Sequence, residues 1–442
     1  MGGDDSAGDD SAGPGEGVLS LLPSGQRLTR PEYNRLLVCA TLFHEGPESR
    51  AGLHNATGIP TSRLSEVCGD LLRGGLIRES IVAPPEGNGR GRPQTLLEIE
   101  LRGLGAACVS YDHGEVTAAV ADLAGTVRWR RRWTGPFSAE ETLRLIARAG
   151  RLAVAAAAKA GVEVVAVGAA DPGTVDAAAG RSVRAVSMPG WRNAPVVAAL
   201  GKATGLPAMI DRGDGWQALG EAAFGAGRGV NHAVYVTLGE GIGGGIVENG
   251  RLLAGRDGSA GEIGHTRVSD SGPPCGCGGR GCLEAHLAPA RLAALWKGDE
   301  PDQARGAAVG GEAPDEFSRL LAAAREGDGR ARKVLAEAAG ALARGLGNVV
   351  SLLNPEQIIL GGRFVEAGET ILDPLRRGLP AQALPEMLQG VEVRLAELGE
   401  TSAFLGVAAR VRNQLFAYPS VGARVGGGGT KGSDRVSSEE SP

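Results

Sequence analysis

Twice along this chain a burst of short apolar strands gives way to helix, and that repeat limits the fold more than any other feature. Ala106–Ser110, Val116–Asp122 and Val127–Trp133 are apolar segments joined by tight turns, and a helical stretch follows from Ser138 to Ala160. Val162–Val167 reads as a buried strand, and Asp171-Pro172-Gly173 turns the chain. After the strand Ala208–Ile210 and the helix Trp216–Phe224, the strands restart at Val234–Leu238 and Gly245–Glu248. The remainder of the chain reads as mostly helical, with one more buried strand, Gln357–Leu360, ending in Gly361-Gly362. Alternation with two strand-rich starts predicts an α/β body of two similar halves with a cleft between them.

Residues 27–82 have a different character. A helical pattern begins at Tyr33 and runs to Phe43, Gly46-Pro47 breaks it, and Ala51–Thr57 makes a second short helix before Gly58. Pro60-Thr61-Ser62 is an N-terminal signal for a third helix ending at Arg73, where Gly74-Gly75 stops it. Two helices meeting at a Gly turn make a helix-turn-helix with the second as reader, Thr61, Ser62 and Arg63 being placed at the groove. The strands Leu76–Ile81 and Thr95–Ile99 flank a Pro/Gly loop carrying Gly89-Arg90-Gly91-Arg92-Pro93, a wing whose Arg90 and Arg92 would meet phosphates or a minor groove. The expected domains are a disordered tail at 1–23, a winged helix-turn-helix at 24–100, a body at 101–419 and a second disordered tail at 420–442.

With 46 Lys and Arg against 51 Asp and Glu, the chain carries a formal charge of −5, which argues against non-specific coating of nucleic acid and leaves room for a local basic patch. No apolar run is long enough to span a bilayer and no signal peptide is evident, so a cytoplasmic protein without membrane partners is expected. Cys39, Cys68 and Cys108 stand singly among apolar residues and read as buried thiols. Cys275, Cys277 and Cys282 are clustered in a Gly-rich loop that offers no core to pack into. With His265 they supply the ligands of a structural Zn²⁺ site, and a closed Cys₃His shell leaves no position for water.

Gly239-Glu240-Gly241-Ile242-Gly243-Gly244-Gly245, Gly261-Glu262-Ile263-Gly264-His265 and Cys275-Gly276-Cys277-Gly278-Gly279-Arg280-Gly281-Cys282-Leu283-Glu284 together resemble the ROK family of repressors, open reading frames and sugar kinases. Met188-Pro189-Gly190-Trp191-Arg192-Asn193, Leu219-Gly220-Glu221 and Asn354-Pro355-Glu356 resemble further blocks, and the likeness covers about residues 27–417. The resemblance implies an α/β chain with an N-terminal winged helix-turn-helix and a two-lobed actin/hexokinase-like (ribonuclease H-like) sugar-kinase fold, its zinc loop at 261–284. It also implies that Asn193, Glu262, His265 and Glu284 border a sugar pocket. Carboxylates and an amide suit neutral, hydroxyl-rich ligands.

The kinase pattern fails on the catalytic side. Where the family's kinases carry Asp-x-Gly-Gly-Thr, this chain has Ser110-Tyr111-Asp112-His113-Gly114. Counting back from Leu219-Gly220-Glu221, the Asn-Asp-Ala-Asn block with its catalytic base is replaced by Arg212-Gly213-Asp214-Gly215, so the base position is Gly213. Gly-Thr-Gly of the second phosphate loop is Gly239-Glu240-Gly241, a carboxylate replacing a hydroxyl. Phosphotransfer is therefore expected to be lost and ATP unused. The expected protein is a dimeric or tetrameric, zinc-stabilised regulator that binds double-stranded operator DNA and answers to a sugar, or to a sugar phosphate drawn by Arg212. The competing readings are an ATP-dependent sugar kinase with a DNA-binding extension and a regulator without any ligand.

Overall fold

A computed structural model describes residues 28–82, 94–239, 241–299 and 313–418. The expected tails, Arg90, Arg92 and Glu240 lie outside the described residues. Chain contacts divide the protein into two units: one holds the described residues up to Glu100 together with those from Gln414 onward, and the other is Leu101–Asn413.

In the first unit, α1 (Arg30–Glu45) starts at Thr29, whose side chain and that of Glu32 cap each other's backbone amides reciprocally. Ser49 caps α2 (Arg50–Thr57), and Gly58 ends it at φ 67°, a left-handed conformation that costs glycine little. The turn leads straight into α3 (Thr61–Arg73), with the limits read from the sequence. Leu53, Leu64, Leu71 and Leu97 close the core beneath. Strands β1 (Ile77–Val82) and β2 (Gln94–Ile99) pair antiparallel from Ile77 opposite Ile99 to Val82 opposite Gln94, and Glu48 adds a bridge to Leu97. The described residues from Gln414 to Tyr418 belong to the same unit: Phe416 stacks on Phe43 at 5.2 Å, Tyr418 stacks on His44 at 4.9 Å, and the Tyr418 hydroxyl donates to Glu45 at 3.2 Å.

The second unit repeats one sheet plan. β3 (Leu104–Asp112), β4 (Glu115–Asp122) and β5 (Val127–Thr134) form an antiparallel meander. α4 (Ala139–Lys159) leads to β6 (Glu163–Asp171), parallel to β3. A small antiparallel sheet of β7 (Thr174–Asp176), β8 (Arg181–Arg184) and β9 (Arg192–Ala194) precedes α5 (Val196–Thr204) and β10 (Ala208–Arg212), which is parallel to β6. The first sheet therefore runs β10-β6-β3-β4-β5.

After α6 (Gly213–Phe224) the plan recurs. β11 (His232–Leu238), β12 (Ile242–Glu248) and β13 (Arg251–Leu252) make the second meander. α7 (Gly329–Leu353) then leads to β14 (Gln357–Gly362) and β15 (Glu392–Leu395), each parallel to its predecessor in the order β13-β12-β11-β14-β15. These are the two similar halves that the strand-rich starts implied. The small sheet β7–β9 and the edge strands β13 and β15 had no sequence signal, because each is short and at best half-apolar.

α8 (Ser402–Leu415) packs so closely on α6 that a Cβ on Gly220 would lie 2.1 Å from the Ser402 carbonyl oxygen. Beside it, the fully buried Glu221 carboxylate accepts from the amides of Ala226, Glu397 and Leu398 at 2.8–3.1 Å. The Leu-Gly-Glu block is thus a close-packing and backbone-anchoring device. Among the described residues no helix is long and apolar enough to cross a membrane.

Candidate functional site

His265 ends a short 3-10 turn that begins at Ile263, immediately after Glu262. The cysteines come from a hairpin in which Cys275 N–H donates to the Gly279 carbonyl and Pro274 bridges Arg280. Gly281, at φ 71°, lets this hairpin lie against its neighbour, since a Cβ there would stand 1.9 Å from the Ser269 carbonyl oxygen. Cys282 then opens the short helix Leu283–Leu287. One ligand atom from each of His265, Cys275, Cys277 and Cys282 lies within 4.8 Å of all the others.

The spacings suit a particular ion. Two sulfurs about 2.3 Å from a tetrahedral Zn²⁺ stand about 3.8 Å apart, and a sulfur and an imidazole nitrogen about 3.6 Å. Cys277 and Cys282 Sγ are 3.7 Å apart, and Cys275 Sγ is 3.6 Å from His265 Nδ1. The Gly279 amide holds the Cys277 thiol below its usual value, whereas burial pushes Cys275 up to about 12. A dication would favour the thiolate at all three.

Glu262 and Glu284, assigned with His265 to a sugar pocket, lie beside this cluster. The other face of the His265 ring, Nε2, is 4.0 Å from Glu262 Oε2. Glu284 Oε1 is 3.6 Å from Cys275 Sγ, and its Oε2 accepts from the Ile242 amide at 3.1 Å. Asn193 lies on β9 at φ 48°, and its backbone carbonyl accepts from Arg181.

The segment expected to stand in place of the kinases' catalytic block forms a cross-link. Arg212 ends β10 and is buried. Its Nη1 donates to Glu262 Oε1 at 2.7 Å, and its Nη2 donates to the carbonyls of Ala260 at 2.5 Å and Gly244 at 3.1 Å. Asp214, in the first turn of α6, accepts from the Gly244 amide at 2.9 Å. β13 reaches β12 only at Val247 and Glu248, so the outward peptide groups of Gly244 would have no strand partner. Asp214 satisfies the N–H and Arg212 the C=O. Burial pushes the Asp214 carboxyl up, Arg212 pulls it back, and Glu262 adds to the rise. Arg212 was expected to attract a phosphate, but both its terminal nitrogens are already engaged. Gly213 carries no side chain, and Asp214 is committed to β12.

Sequence reasoning missed a second buried polar pair. The Tyr111 hydroxyl donates to Asp171 Oδ2 at 2.5 Å, and Asp171 Oδ1 accepts from Gly173 N–H at 2.7 Å. Burial pushes both groups above their usual values. Tyr111 also packs against Trp191, whose indole N–H donates to Ser182 at 2.8 Å. Asp171 had read only as a turn residue. Beside Tyr111 in the chain, Asp112 is exposed and accepts from Ser187 Oγ and the His113 amide.

In the first unit, Thr61, Ser62 and Arg63 are exposed on the opening turn of α3, while Leu64, Val67, Cys68 and Leu71 face inward. Pro60 supplies no side-chain cap, which leaves first-turn amides available to an outside acceptor. Arg63 also pairs with Glu66 at 3.2 Å.

The sequence profile of the ROK family matches residues 107–414. The chain is 25% identical to the xylose repressor of Caldicellulosiruptor bescii over 401 residues, 89% of this chain and 99% of that one. It is 36% identical to a glucokinase of Thermotoga maritima over 259 residues, 58% of this chain and 81% of that one. A crystal structure of a ROK family transcriptional regulator, described as a homologue of the Escherichia coli Mlc protein, superposes with a TM-score of 0.72 at 25% identity, covering 87% of this chain and 96% of that one.

Proposed function

The chain belongs to the ROK family, and from that membership we propose that it is a transcriptional regulator of sugar-related genes, a repressor whose kinase-like body has given up phosphotransfer. The observation that carries this reading is coverage. The repressor likeness runs over 89% of the chain, the N-terminal unit included, whereas the glucokinase likenesses span 57% to 66% of it.

In this reading α3 enters the major groove of operator DNA with Thr61, Ser62 and Arg63 at the bases and backbone, and Arg90 and Arg92 of the wing reach phosphates or the minor groove. A dimer or tetramer presents two such heads to two half-sites. A sugar held by Asn193, Glu262, His265 and Glu284 changes operator affinity only by binding the competent and incompetent arrangements unequally. His265 Nδ1, Cys275, Cys277 and Cys282 would hold a structural Zn²⁺, whose charge stabilises the thiolates. Filling all four positions with protein ligands leaves it no bound water. His265 is thereby fixed with Nε2 toward Glu262, so the metal loop orients one wall of the pocket.

The glucokinase relative favours a second reading, an ATP-dependent sugar kinase. Against it stand Gly213 at the base position, Asp214 committed to the Gly244 amide, and Ser110, Asp112 and His113 in the first phosphate turn. A coupled ADP-release assay across neutral hexoses and pentoses is expected to stay at the no-sugar background. Sugar-dependent turnover would replace the regulator's inactive body with an enzyme.

A further inference from the structure

Arg212 stands where the family's kinases have the first Asn of their catalytic block, and its side chain is 8% exposed. An amide at that place offers a neutral donor and acceptor to a sugar hydroxyl; a guanidinium offers donors only, with a charge. Here that charge is spent inside the protein. Arg212 takes Glu262 Oε1 in a charge-assisted bond at 2.7 Å, lies 3.5 Å from Asp214 Oδ2, and is pinned by the Gly244 and Ala260 carbonyls. Glu262's other oxygen is 4.0 Å from the His265 ring. A neutral hydroxyl approaching the half-exposed Glu262 therefore competes with a buried cation for Oε1 of the carboxylate.

We propose that Arg212 is the specificity-determining residue of this pocket, an internal cation that occupies one oxygen of Glu262 and weakens the site's hold on neutral sugars. The proposal rests on the assignment of Glu262 to the ligand-facing wall. It places a side chain of the protein itself where a ligand's hydroxyls would otherwise be received. Loss of sugar affinity then comes from the residue next to the one at the base position, and an amide at 212 strengthens sugar binding while Gly213 still leaves the base position empty.

The test uses the full chain as wild type, Arg212→Asn, and Arg212→Asn combined with Glu262→Gln, titrated calorimetrically with glucose, mannose, xylose and N-acetylglucosamine. Arg212→Asn is expected to bind at least one of these about tenfold or more tightly than wild type, and the Glu262→Gln change to abolish that gain. Wild-type binding as tight as the variant's, or a folded Arg212→Asn protein that binds none of the four sugars, overturns the proposal. Should Arg212→Asn fail to fold, Arg212→Gln, which keeps amide donors for the Gly244 and Ala260 carbonyls, carries the same comparison. Footprinting of DNA with the sugar-free wild type is read separately. Sugar binding gained by the variant while wild type protects no DNA upholds the lock and removes the regulator; DNA protection without any gain does the reverse.

Discussion

Asp171 illustrates how a single buried carboxylate leaves a measurable trace. It is 1% exposed and accepts from Tyr111 and Gly173. Burial, the largest influence, raises its pKa, while the bonds from Ser182, Tyr111 and Gly173 pull it down and Asp112 pushes it up. The folded protein holds this proton more tightly than the unfolded chain does. The stabilising contribution is therefore complete below the ordinary carboxylate range and is lost as pH rises through the raised value. Asp171→Asn removes that titration, so its melting temperature should fall less than wild type's across the window, and the variant should gain relative stability at neutral pH. Parallel profiles for the two proteins would contradict this. Neither this pair nor the Arg212 cross-link was legible in the sequence beyond residue type. Arg212's partners lie 32 to 50 positions away, and no local pattern connects them. The assignment of Gly213 to the kinases' base position, by contrast, rests on counting from Leu219-Gly220-Glu221 alone.

At the scale of elements, legibility followed local chemistry. The limits of α3 were readable because Pro60-Thr61 and Gly74-Gly75 punctuate it, and the body's central strands because β3 and β6 are nearly continuous apolar runs buried on both faces. β15 was not, since Glu392-Val393-Arg394-Leu395 is four residues of alternating character at a sheet edge. The cysteine hairpin was legible as a cluster of candidate ligands and not as a geometry; its shape depends on Gly281 at φ 71° against the Ser269 carbonyl. Gly281→Ala places a Cβ where backbone already lies and demands a conformation that alanine adopts at a cost. The hairpin must shift, and Cys282, the next residue, shifts with it. Zinc per chain measured by metal analysis after dialysis is expected to fall well below one, with a melting temperature lowered by several degrees. Full zinc retention would show that the close approach is not needed to assemble the ligands.

At the scale of the whole molecule, an N-terminal unit whose third helix has no side-chain cap is followed by an α/β body of two similar halves in which Arg212 and Asp214 bond to neighbouring backbone. Composition alone was neutral on this point, because a formal charge of −5 neither requires nor forbids DNA binding. What separates a regulator from a kinase is whether the first unit holds DNA at a defined place. The most direct measurement is nuclease footprinting of the full chain on the region upstream of its own gene, repeated over a range of salt with wild type and with Arg90→Ala combined with Arg92→Ala. A regulator of this design should protect a site as wild type, with an affinity that falls steeply with salt, and the variant should bind more weakly and with less salt dependence as phosphate contacts are lost. No protected site, together with salt-dependent binding that the variant leaves unchanged, would contradict it.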